Sequence, residues 1–148
     1  FSAATASESN LKVMSFNSMC DLCAKKSQSG KFPDRLDAIA DTIDRHDPDL
    51  IGMQEVRTRR QIGRIQGRLA EKYLAIFRRG FPLSYADPVL FLRKSRFEVR
   101  DSGGYWLGPN APEFSLGWEL AIPRRVEYAL VLDRMTRKLF YFVSAHFD

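Results

Sequence analysis

The chain has 148 residues, 45% hydrophobic and 28% charged, which is the length of one domain with enough apolar content for a core. Its formal net charge of +5 favours anionic partners (nucleic acid, phosphorylated small molecules or acidic lipid headgroups) without naming an activity. No apolar run approaches the roughly 20 residues of a membrane-spanning helix, and two cysteines alone cannot complete a four-ligand zinc site.

Residues 1–10 read as a disordered lead-in, and Ser2-Ala3-Ala4-Thr5-Ala6 resembles the tail of a secretory signal peptide. A secreted or periplasmic protein would begin this way, and so would a cytoplasmic one clipped at its start. Leu11 to Asn17 alternates as a strand, with Leu11, Val13 and Ser15 on one face and Lys12, Met14 and Phe16 on the other. A polar loop follows, carrying Cys20-Asp21-Leu22-Cys23. A redox dithiol would be expected to open a helix, whereas Gln28-Ser29-Gly30-Lys31 argues for a loop. The pair therefore reads as structural or incidental, with a local disulfide if the protein is exported. Pro33 suits the first turn of a helix whose Leu36, Ile39, Ala40 and Ile43 share one face, and Pro48 stops it. His46 sits at its end, where a cation meets the helix dipole favourably.

Leu50-Ile51-Gly52-Met53 is wholly apolar, as in a strand buried on both faces. Thr58 to Lys72 predicts a second helix, with Ile62, Ile65, Leu69 and Tyr73 inward and Arg60, Arg64, Arg68 and Lys72 repeating along another side. Strands are predicted at 74–78, 89–93, 97–102, 126–132 and 139–146, with a glycine turn after Asp101-Ser102. Residues 108–123 form a Pro- and Gly-containing loop carrying Trp118. This order predicts an α/β (α+β) mixed sheet with helices on one face. The later strands are apolar on both faces, so the opposite side requires a second sheet, which is expected to lie outside these residues. Together with an end directly after a strand, this predicts a partial unit.

Glu55 closes the segment that begins at Asp49, and Asn17 closes the first strand. Polar residues just past the carboxyl ends of buried strands occupy the place where open α/β sheets bind ligands. A carboxylate beside an amide suits Mg2+, which takes hard oxygen ligands and keeps several waters. From spacing alone, a solvated strand-end acid and a turn-forming Asn are the favoured reading.

Val13-Met14-Ser15-Phe16-Asn17 and Pro48-Asp49-Leu50-Ile51-Gly52-Met53-Gln54-Glu55 resemble the two opening motifs of the endonuclease/exonuclease/phosphatase superfamily. Gly104-Tyr105-Trp106-Leu107, Trp118, Pro123-Arg124 ahead of Tyr128-Ala129-Leu130, and Ser144-Ala145-His146-Phe147-Asp148 follow in the family's order. The resemblance runs from Leu11 to Asp148 and implies the first half of a DNase I-like four-layer α/β/β/α sandwich, monomeric when complete. It implies a metal-dependent phosphoric ester hydrolase using Mg2+, or Mn2+ in its place. Glu55 would bind the metal and Asn17 would help to form that site. Arg124, or Arg125 in the alternative register, would hold a phosphate oxygen through its planar fork. His146 would contact the scissile phosphate, and Tyr85 would match a phosphate-contacting tyrosine of some members. The family's Asp-x-Asn pair and Ser-Asp-His motif are not found in the chain, which predicts inactivity for these residues alone. Other readings within reach are an inactive polyanion-binding relative and a phospholipase or sphingomyelinase of the same superfamily. Between Arg57 and Arg100, twelve Lys or Arg stand against three acids, and residues 31–56 carry seven acids against three bases. Such a basic helix face either tracks a nucleic-acid backbone or is simply solvated.

Overall fold

Strand β2 (Leu50–Gln54) is buried along its whole length, because both of its faces are covered by the chain itself. The computed structural model describes residues 10–20, 30, 32–56, 58–78, 87–114 and 123–147. Around β2 lie β1 (Val13–Asn17), α1 (Phe32–His46), α2 (Arg59–Leu69), β3 (Tyr73–Ile76) and β4 (Val89–Arg93). They are followed by β5 (Phe97–Leu107), β6 (Arg124–Asp133) and β7 (Leu139–Ala145). The first sheet has the order β1-β2-β4-β3, with β1 parallel to β2 and β4 antiparallel to it; the second is the antiparallel meander β5-β6-β7.

The helices lie on one face of the first sheet. Ile39 and Ile43 of α1 and Ile62, Ile65 and Leu69 of α2 pack on Ile51, Met53, Val89 and Phe91. An amphipathic stripe against a sheet is the usual way for such helices to bury their apolar side. Thr58 and Gln61 close a capping box at the start of α2, which satisfies two donors that the helix cannot satisfy internally. His46 ends α1, in its last turn beside Arg45.

The opposite face is covered from within the chain, which corrects the expectation that the second sheet lies outside it. After β4 the chain turns at Lys94–Arg96 and begins a new sheet rather than extending the first. Phe97, Ala129, Val131 and Phe142 of that sheet pack on Leu50, Leu90 and Leu92. The described residues thus supply one helical layer and two sheets. No helix among them is long and apolar enough to cross a membrane.

The predicted glycine turn is also corrected: Gly103 and Gly104 lie inside β5. A Cβ on Gly103 would fall 2.3 Å from the Tyr128 hydroxyl, and one on Gly104 would fall 2.6 Å from Arg125 Nη2. These glycines therefore let neighbouring side chains cross both faces of the strand.

The end of the sandwich where β2 starts is held by ion pairs. Asp49 meets Arg93 Nε at 3.1 Å and Arg96 Nη1 at 2.8 Å, and Arg96 Nη2 meets Asp133 at 2.9 Å. Burial alone would raise the Asp133 pKa, but hydrogen bonds from Arg96, Met135 N–H and Thr136 hold it below its ordinary value.

The two sheets approach tightly at Gly52, where a Cβ would lie 2.7 Å from Ser144 Oγ and 3.0 Å from Ser144 Cβ. Gly52→Ala should cost about 1–3 kcal/mol of stability by overpacking this contact. Pairing it with Ser144→Gly should restore most of the loss; chemical denaturation of the two variants measures both.

Candidate active site

Strand direction brings five polar side chains to one rim. Asn17 and Glu55 end the parallel strands β1 and β2, and the Met53–Val89 pairing of antiparallel β4 places Asp87 opposite Glu55. His146 follows β7, and Arg124 opens the adjacent β6.

Glu55 lies at φ 66°, in the left-handed region that a non-glycine residue rarely adopts. Its side chain is 14% exposed. Asn17 Nδ2 donates to Glu55 Oε1 at 3.0 Å, and the backbone N–H of Cys20 donates to Oε2. Asn17 Oδ1 accepts from Met19 N–H at 2.9 Å, so the amide is fixed with its donor side toward the carboxylate. Arg35 donates to the carbonyls of Ser18 and Met19 and secures that loop against α1. Cys20 is buried and disulfide-bonded, while Cys23 lies outside the described residues.

Asp87 was missed by the sequence reading. Its side chain is fully buried; Oδ1 accepts from Glu55 N–H at 3.0 Å, and Oδ2 is 2.9 Å from His146 Nδ1. The available signal was an acid before a proline at the start of a buried strand, which only the antiparallel direction of β4 carries to the rim. Arg124 Nη1 is 3.5 Å from the same His146 nitrogen. One imidazole nitrogen cannot both donate and accept, and the short contact to a carboxylate decides that Nδ1 carries the proton. Nε2 is then left on the rim, 3.8 Å from Glu55 Oε1.

Asn17, Glu55, Arg124 and His146 are therefore brought together. Arg125 is directed inward: it pairs with Glu127 at 2.9 Å and lies over the Trp106 ring. Tyr85 and Trp118 fall outside the described residues.

Solved structures share this arrangement of strands and helices. An endonuclease/exonuclease/phosphatase from Bacteroides vulgatus is 30% identical, with a TM-score of 0.78 over 93% of this chain and 52% of its own. The chain shares the fold of endonuclease/exonuclease/phosphatase proteins. A family protein from Bacteroides thetaiotaomicron is 24% identical (TM-score 0.82, 93% of this chain, 49% of its own). A mannosyl-6-phosphatase from the same organism is 23% identical (TM-score 0.80, 94% of this chain, 52% of its own). The chain thus spans about half the length of the solved structures it matches. No protein-family model and no curated protein matches it. Among the described residues, no group of three or more His, Cys, Asp or Glu is arranged to hold a metal ion.

Beneath the rim, Glu127 is wholly buried between the sheets. Its Oε1 takes hydrogen bonds from Arg78 N–H and Arg125 Nε, while Oε2 has no partner among the described residues. Burial raises its pKa from 4.5 to about 7, against the opposing pull of Arg125 and Arg78. Between those values the folded state binds more protons than the unfolded state, so this group's contribution to stability falls as pH rises from 4.5 through 7. Glu127→Gln should remove that slope and be the more stable form at pH 8, by on the order of 2 kcal/mol. Denaturation curves at acidic and alkaline pH measure the difference.

Proposed function

We propose that this chain supplies the metal-side and phosphate-binding rim of a Mg2+-dependent phosphoesterase acting on phosphodiesters or phosphomonoesters. The observation that carries the reading is the single chain of contacts from Asn17 through Glu55 and Asp87 to His146, with Arg124 beside it. The mannosyl-6-phosphatase among the neighbours is compatible with a phosphomonoester substrate, and the net charge of +5 with an anionic one in general.

Glu55 fits Mg2+ in kind: a hard, partly exposed carboxylate oriented by donors from Asn17 and Cys20. Glu55 would hold the ion, with Asn17 fixing the carboxylate beside it. When bound, the ion would polarise a phosphoryl oxygen and offset the charge that develops on it. Arg124 would hold a second phosphate oxygen through its fork of donors. His146, oriented by Asp87 through Nδ1, would direct Nε2 at the scissile phosphate; as the imidazolium, with a second proton on Nε2, it would stabilise charge there or donate that proton to the leaving oxygen.

Glu55→Gln in the full-length protein should lower hydrolysis of bis(p-nitrophenyl) phosphate by about three orders of magnitude, with EDTA abolishing the remainder. Near-normal, chelator-resistant turnover in that variant would reject the reading. Asp87→Asn removes the charged acceptor of His146 and should lower kcat at least about a hundredfold, with little change in KM. Steady-state kinetics of this variant separates the two constants.

A further inference from the structure

Helix α2 begins four residues after Glu55, so its first turn lies within about 14 Å of the rim by the reach of the chain. Arg60, Arg64 and Arg68 follow at four-residue intervals, a rise of about 6 Å per step in the helix, and Lys72 stands in the turn after its end. The two cations far from the rim are matched by acids: Arg68 meets Asp37 at 2.7 Å and Lys72 meets Asp44 at 2.7 Å. Arg60 and Arg64, with Arg59 beside them, have no carboxylate partner among the described residues, and Arg59 and Arg60 are exposed.

Their position is unfavourable for the helix. Its first turn holds no acid, and cations there oppose the positive end of the dipole. The capping box already satisfies the start of α2, so these arginines add nothing to it. Nor does α2 have the character of a membrane-surface helix: its apolar residues Ile62, Ile65 and Leu69 are buried in the core, and no large hydrophobic residue on it is exposed. No aromatic residue lies on the helix to stack on bases, so recognition would be of backbone phosphates alone.

We propose that Arg59, Arg60 and Arg64 form a phosphate-tracking surface for a nucleic-acid strand whose reacting phosphate lies at the rim. This rests on the proposed phosphoesterase function and narrows its substrate to a polynucleotide. The paired cations mark the far end of the track, since their charge is already met by α1.

Fluorescence anisotropy of a labelled single-stranded oligonucleotide, measured in EDTA at several salt concentrations, tests this on the full-length protein. The variant Arg59→Gln/Arg60→Gln/Arg64→Gln should lower the slope of log affinity against log salt by about two, at roughly 0.7 per cation. Arg68→Gln/Lys72→Gln should leave affinity within about twofold, as expected for an exposed matched pair. An unchanged slope in the triple variant would overturn the proposal. So would an equal loss from the Arg68/Lys72 variant, or an equal loss of binding to phosphatidylserine vesicles. Because binding in EDTA needs no turnover, its outcome is independent of whether Glu55→Gln abolishes hydrolysis.

Discussion

The contact on which the rest of the structure depends is the approach of β7 to β2 at Gly52 and Ser144. A side chain on Gly52 would sit 2.7 Å from Ser144 Oγ, so the sheets can lie this close only because residue 52 has none. Gln54 Nε2 donates to Ser144 Oγ at 3.3 Å, next to the same contact. The separation set here carries forward along both strands. Three residues beyond Gly52 is Glu55, and two beyond Ser144 is His146, whose Nε2 lies 3.8 Å from the Glu55 carboxylate. Wider spacing would leave each group at the rim of its own sheet.

Placing polar groups at this end has a thermodynamic cost, which the interior shows plainly. Gln54, Ser144, Arg125 and Glu127 are all buried. Glu127 leaves one oxygen without a partner among the described residues and is driven toward its neutral form. Asp87 is as deeply buried, yet both of its oxygens are in use, one by Glu55 N–H and one by His146. Satisfied buried networks hold geometry, whereas half-satisfied ones cost stability. The rim has the first kind and the layer beneath it the second.

Much of the fold was legible in the sequence because its signals are local. Periodicity placed both helices, and the wholly apolar run at Leu50 placed β2. What escaped was pairing. Strands apolar on both faces show that a second layer exists, but not whether β5–β7 extend the first sheet or cross it. Gly103-Gly104 has the composition of a turn, and only the side chains of Tyr128 and Arg125 lying across it show why a strand needs glycine there. The site divides in the same way. Asn17, Glu55, Arg124 and His146 stand in motifs, whereas Asp87 becomes visible only when β4 is known to run antiparallel to β2.

The two acids at either end of the β2 segment show how one strand separates stability from chemistry. Asp49 and Glu55 stand six residues apart, about 20 Å along an extended chain. Asp49 is bound by the guanidinium groups of Arg93 and Arg96 and accepts from Lys12 N–H. Its charge is met, and it works as a clamp between the sheets. Glu55 is oriented by the Asn17 amide and the Cys20 N–H, which are neutral donors. These hydrogen bonds fix where the carboxylate points, at the rim it shares with His146. The sequence motif treats the two acids alike as its ends; the partners each one acquires on folding set the first in a clamp between the sheets and the second at the rim beside His146.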